Sequence, residues 1–129
     1  MDENQISREV VSSAIEVHRG LGGPGLLEDV YEEALAHELQ LRGLNLKRQV
    51  FVPVFYKGKE IKKPLILDLL VNDSVIIEVK AVEKHNPVYE SQLLTYLRLS
   101  GLNLGLLVNF GQRYVKDGIH RVVNGLSDS

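Results

Sequence analysis

Leu65-Ile66-Leu67-Asp68-Leu69-Leu70-Val71 and Val75-Ile76-Ile77-Glu78-Val79-Lys80-Ala81-Val82, separated only by Asn72-Asp73-Ser74, decide how this chain is read. Two β-branched, apolar runs around a cluster of turn-forming residues predict an antiparallel hairpin. Each run carries one carboxylate near its middle, and ionised carboxylates in apolar surroundings cost several kcal/mol unless something compensates them. Alternation along a strand puts Glu78 and Lys80 on one face. With a three-residue turn, Val71 lies opposite Val75 and Asp68 opposite Glu78, their Cβ atoms roughly 4.5–5.5 Å apart. Two like charges in one spot repel each other but suit a hard divalent cation with oxygen preferences, Mg²⁺ or Mn²⁺. The competing reading has Lys80 neutralise Glu78 at a solvated strand end.

Downstream, Asn86 and Pro87 open a helix over Val88–Leu99, which Gly101 closes. Gln92 and Tyr96, four residues apart on it, face one way. Leu104–Phe110 reads as a buried strand and Ile119–Val123 as a short one. Upstream, Val50, Val52, Val54 and Tyr56 alternate with Phe51, Pro53 and Phe55 in a strand-like run closed by a Lys57-Gly58-Lys59 turn, and Pro53 hints at an edge or bulge. Leu27, Val30, Tyr31, Ala34, Leu35 and Leu39 predict a helix from Leu26 to Arg42, stopped by Gly43, with Glu28 and Asp29 in its dipole-favoured first turn. Ile6, Val10, Ala14, Val17 and Leu21 predict another, ended by the Gly20–Gly25 cluster. After that first helix the order is helix, three strands, helix, strand. One α/β domain over residues 1–129 is expected, a mixed sheet flanked by helices.

The 129 residues, 44% of them hydrophobic, suffice for one real core. The absence of Cys excludes disulfides, thiolate zinc sites and a cysteine nucleophile. No apolar run approaches the roughly 18–20 residues of a membrane helix, and the N-terminal Met1-Asp2-Glu3-Asn4 is acidic where a signal peptide is basic. A soluble, cytoplasmic protein without membrane partners is expected. No Walker loop or Cys/His zinc spacing occurs, and Gly20–Gly25 has no strand before it, so it is not a dinucleotide fingerprint. Ser-His-Asp catalysis has no elbow motif to support it.

The hairpin resembles the PD-(D/E)XK nuclease signature through Asp68 and Glu78-Val79-Lys80, and Gln92-Leu93-Leu94-Thr95-Tyr96 resembles the QxxxY extension of several exonuclease-like branches. Gly25-Leu26-Leu27-Glu28-Asp29-Val30-Tyr31 matches the string that names the GxxExxY proteins, a small bacterial and archaeal group within that superfamily. The resemblance implies a restriction-endonuclease-like core of order α-β-β-β-α-β with an additional N-terminal helix. It further implies that Asp68 and Glu78 bind Mg²⁺ or Mn²⁺, that Lys80 positions or activates the attacking water, that Glu28 reaches the site from its helix and that Gln92 orients the Lys or the metal shell. Tyr31, on the helical face of Glu28, and Tyr96 are expected to support the site by packing. His18 falls in the family-like stretch, where a lone His at a helix end reads as structural. Pro64 stands four residues before Asp68 rather than next to it, which leaves the metal ligands intact.

The charge is uneven: nine acids against two bases up to Leu41, then seven bases against one acid from Arg42 to Lys63. Lys47, Arg48, Lys57, Lys59, Lys62 and Lys63 are therefore candidates for phosphate contacts, and a Lys-guarded strand edge is the alternative. The expected activity is metal-dependent phosphodiester hydrolysis, the expected partner nucleic acid, DNA before RNA, with a homodimer left open. The second function class is a catalytically silent nuclease-like fold serving as a nucleic-acid-binding or protein-interaction module.

Overall fold

The computed structural model describes residues 1–126. Helices α1 (Glu3–Gly20) and α2 (Glu28–Leu41) precede strands β1 (Leu46–Tyr56), β2 (Lys59–Val71) and β3 (Val75–Lys80). Helix α3 (Val88–Ser100), strand β4 (Leu104–Asn109), a 3₁₀ turn at Val115–Gly118 and β5 (Ile119–Val123) follow. The five strands form one mixed sheet in sequence order, antiparallel except for the β3–β4 pair. That parallel pair is joined through α3, the crossover a parallel connection demands. The α/β architecture is the one expected, and among the described residues no helix is long and apolar enough to cross a membrane.

Helix α1 starts three residues before the expected Ile6 because Asp2 and Gln5 close a capping box, each side chain accepting the other's backbone N–H at 2.8 Å. Its face of Ile6, Val10, Ala14 and Val17 packs with Tyr31, Leu35 and Leu39 of α2 against Leu69, Val71, Val75, Ile77 and Val79 of the sheet. Leu93 and Leu97 of α3 cover the opposite face with Leu67, Ile76 and Leu107. The sheet is thus sandwiched between α1/α2 and α3, which explains why β3 and β4 are apolar apart from Glu78, Lys80 and Asn109.

Strands β1 and β2 are longer than the expected Val50–Tyr56 and Leu65–Val71, and the turn joining them is the two residues Lys57-Gly58 instead of three. Both have positive φ, +48° and +82°, the primed hairpin turn whose twist matches the strands it joins. Charged residues masked these extensions: Lys47-Arg48-Gln49 and Lys59 to Lys63 show no apolar alternation, since that part of the hairpin is exposed. The register slips between Val52 opposite Leu65 and Val54 opposite Ile61, so that Lys62, Lys63 and Pro64 bulge against the single residue Pro53. Two prolines without an N–H fall where the ladder is already broken.

A second irregularity positions the site. Leu69 and Val71 face α1/α2, yet Leu67, two residues from Leu69, packs toward α3; on β1, Leu46 packs with the first group and Val50 with the second. Strict alternation would keep each set on one face. Both strands therefore turn over at the same level, at Asp68 and at Gln49, whose φ of +52° is costly for a residue with a Cβ.

Candidate active site

The β2–β3 turn holds the register that brings the two carboxylates together. Val71-Asn72-Asp73-Ser74 closes on the Ser74 N–H to Val71 C=O bond of 3.0 Å, with Asn72 and Asp73 in the left-handed region, and Val71 then pairs with Val75, Leu70 with Ile76 and Leu69 with Ile77. The ladder stops there. Asp68 and Glu78 are next in register, but the Glu78 Oε1 accepts the Asp68 N–H at 3.4 Å and the Asp68 Oδ2 accepts the Val79 N–H at 2.8 Å. Carboxylates replace carbonyls, and β2 departs with β1 while β3 continues beside β4.

Glu78 is 8% exposed. Burial foremost, then the Asp68 charge and a hydrogen bond shared with Asp68, push its carboxyl up to about 9, against the weaker pull of Lys80. Lys80 makes no ion pair within 4.0 Å among the described residues; its Nζ lies 4.7 Å from the centroid of the Tyr89 ring on α3. The solvated Glu78–Lys80 strand-end pair, the competing sequence reading, is not what the fold builds.

Glu28 arrives from the first turn of α2. Its carboxyl is raised above the usual range by desolvation, opposed by Lys80 and reinforced by Asp68, Glu32 and Asp29, which places it in the field of the same cluster. A cleft of about 670 Å³ is lined by Leu27, Glu28, Asp29, Glu32, Arg48, Gln49 and Asp68, four acids against one base. From the other side, Tyr96 of α3 feels the pair too: its phenol is shifted up by desolvation and then by the charges of Glu78 and Asp68. Gln92, one turn earlier, is exposed and makes no hydrogen bond to Asp68, Glu78 or Lys80.

Tyr31 is fully buried, stacked on Phe110 with centroids 4.6 Å apart. Its hydroxyl donates to Gly23 C=O at 2.7 Å and accepts the Leu26 N–H at 3.1 Å, tying the loop before α2 to the core. This fixes where Glu28 begins its helix. His18 Nε2 bonds Phe110 C=O at 3.1 Å, a packing role.

Three residues were not singled out from sequence. Glu32, 5% exposed, receives Arg48 at 3.0 Å and the Gln49 amide at 3.1 Å, fastening α2 to the point where β1 turns over. Asn109 accepts from Val82 N–H (3.0 Å) and Gly111 N–H (2.9 Å) and donates to Val82 C=O (3.0 Å), holding the chain just beyond Lys80. The strand expected to run to Val82 therefore ends at Lys80. A Cβ on Gly111 would lie 2.3 Å from Val82 O, so only glycine permits this approach. A Glu one turn after Glu28 and an Asn closing the β4 run were the available signals.

The basic residues divide. Arg48 lines the cleft, Lys47 is paired with Asp73 at 2.7 Å beside the β2–β3 turn, and Lys57 lies over the Tyr56 ring at the ribbon tip. Lys59, Lys62 and Lys63 are exposed on the ribbon, without ion-pair partners among the described residues.

Asp68 and Glu78 each spend one oxygen on a backbone N–H, burial and Asp68 hold the Glu78 carboxyl up at about 9, and no Lys, Arg or His lies within ion-pair distance of either among the described residues. Such a donor set fits a hard divalent cation. A family model described as the PD-(D/E)XK nuclease superfamily matches residues 4–122. No curated protein and no solved structure is significantly similar to the chain.

Proposed function

The chain belongs to the PD-(D/E)XK nuclease superfamily, and from that premise we propose that it is a divalent-metal-dependent nuclease hydrolysing phosphodiester bonds, in DNA rather than RNA. One observation carries the reading: a carboxyl pair at the end of a broken ladder, Glu78 buried and Asp68 half-buried, with an amine two residues on that neither carboxylate neutralises. A structural ion pair would have been closed; this one is left open toward a cleft.

Asp68 and Glu78 would hold Mg²⁺ or Mn²⁺, which supplies Lewis acidity and charge neutralisation at the phosphodiester. Lys80, held by Tyr89 and not by an acid, offers a cation for the charge that builds on the phosphate oxygens, and it orients the attacking water. Glu28, raised by its surroundings and facing the same cluster, can hold or release a proton beside that water. Tyr96 walls the site from α3, and Tyr31 keeps α2 in place. Gln92 enters as a contact made once substrate is present. Gly25, Glu28 and Tyr31 favour the GxxExxY group within the superfamily, and the Tyr31–Gly23–Leu26 tie gives that spacing a structural purpose. Arg48 and the ribbon lysines are the proposed phosphate contacts.

The test is cleavage of single- and double-stranded DNA and RNA with Mg²⁺ or Mn²⁺, beside Lys80→Ala. Cutting of DNA that needs the metal and falls about 10²–10³-fold in the variant is the expected result. Binding without cutting under either metal would instead assign the chain to the silent nuclease-like module.

A further inference from the structure

On the α3 side of the sheet, three metal-ligating side chains from distant parts of the sequence meet outside the carboxylate site. His85 lies in the connection from β3 to α3, Glu90 in the first turn of α3 and His120 on β5, where it pairs with Leu107. One ligand atom from each lies within 4.8 Å of the other two, and all three residues are half-buried. His85 Nε2 is 2.5 Å from Glu90 Oε1, and the His85 and His120 rings stack with centroids 4.0 Å apart and planes 18° from parallel.

A hydrogen-bonded His85–Glu90 pair accounts for two of these residues only. It leaves His120 laid against the pair without a polar reason, and it leaves His85 Nδ1 sealed from solvent with no hydrogen-bond partner. A buried polar atom without a partner calls for an explanation. Two imidazoles and a carboxylate are the ligand set of zinc-like ions, with a fourth position open to water, and they are poor ligands for Mg²⁺. Tetrahedral bonds of about 2.0–2.1 Å set ligand atoms roughly 3.3 Å apart. Reaching that geometry needs side-chain rotations that bring ligand atoms now within 4.8 Å of one another closer together.

We propose that His85, Glu90 and His120 bind a zinc-class transition-metal ion, at a site separate from Asp68 and Glu78. The ion ties the β3–α3 connection to β5. The consequence reaches the active site through one residue: Tyr89, adjacent to Glu90 and with its ring 6.3 Å from that of His85, carries the Lys80 amine on its face. Occupancy fixes the Tyr89 ring and with it the resting position of Lys80.

The experiment uses the whole chain with Asp68→Asn, so that binding at the active-site carboxylates does not contribute, and Co²⁺ as the spectroscopic probe. We expect one Co²⁺ per chain with the visible bands of tetrahedral nitrogen and oxygen ligation, displaced by Zn²⁺ but not by excess Mg²⁺, and a raised Tm, as binding to the native state alone requires. His120→Ala and, separately, Glu90→Gln should each weaken Co²⁺ binding about tenfold or more with unchanged far-UV circular dichroism. Absence of the tetrahedral bands overturns the proposal, as does an affinity that neither variant alters. Both outcomes are independent of whether the protein cleaves nucleic acid.

Discussion

Glu32 and Glu78 are buried to almost the same degree, 5% and 8% exposed, on neighbouring elements of one small protein, and they are treated oppositely. Glu32 is matched by a guanidinium and an amide, both within 3.1 Å. Glu78 is matched by another acid, a backbone N–H at 3.4 Å and an amine outside ion-pair distance. Burial alone therefore does not decide how a carboxylate is balanced; its partners do. The first is satisfied by the chain that holds it; the second keeps a raised carboxyl, which the proposed metal site would use.

Removing the charge of each acid should separate the two kinds most widely. Glu78→Gln and Asp68→Asn should reduce metal-dependent cleavage to background, while the metal-free protein stays about as stable, because each amide takes the place of an acid in a pair that already holds a proton. Glu32→Ala should do the reverse. It strands Arg48 and removes the anchor of Gln49 in its left-handed conformation, so we expect a stability loss of roughly 1–2 kcal/mol, kept modest by the exposure of Arg48. Its cleavage rate should fall by less than that of either site variant. Urea melts and initial rates on the three proteins suffice, and unfolding of Asp68→Asn would make that residue an ion-pair partner after all.

The same contrast appears in pH dependence. With the Glu78 carboxyl near 9 in the fold and 4.5 when unfolded, the native state holds a proton that the unfolded chain has lost throughout that window. Stability of the metal-free protein therefore falls as pH rises from about 4.5 to about 9, by roughly a few kcal/mol, the opposite of a salt-bridged acid. Glu28, shifted in the same direction, adds to the slope. Thermal melts across that range should show the decline. Glu78→Gln should flatten most of it, and Mg²⁺ should flatten it by favouring the ionised pair. A metal-free Tm that climbs with pH would contradict the crowding of the two acids.

Most of the architecture was legible because the apolar runs of β3 and β4 and the three- and four-residue spacings of α1, α2 and α3 are direct consequences of burial. The acid pair was legible for the complementary reason: charge inside such runs needs a purpose. What escaped was set by interactions remote in sequence. Nothing local marks Gln49 for a left-handed backbone, since Glu32 seventeen residues earlier stabilises it there. The fold-over at Asp68 could not be read from a period that assumes strict alternation. The ribbon was half hidden because exposed strands carry no hydrophobic signal, and Gln92, read from its helical spacing with Tyr96, lies in solvent while Tyr96 turns inward.

On the ribbon the effects are smaller and depend on which cations already have an acid partner. Arg48 and Lys47 are paired with Glu32 and Asp73, so part of their charge is already neutralised before a phosphate arrives. Lys62 and Lys63 have no ion-pair partner among the described residues and are exposed on a bulge that swings the strand out of regular register, six and five residues before Asp68. A two-stranded ribbon is also a shape that a DNA groove accepts. If both lysines neutralise phosphates, Lys62→Gln with Lys63→Gln should lower the slope of log K against log salt by about 1.4–1.8, or 0.7–0.9 per phosphate, and leave the cleavage rate at saturating substrate unchanged. Lys47→Gln should shift the slope less, because its charge already serves Asp73. Equal slopes for the double variant and the parent would return Lys62 and Lys63 to guarding a strand edge against aggregation.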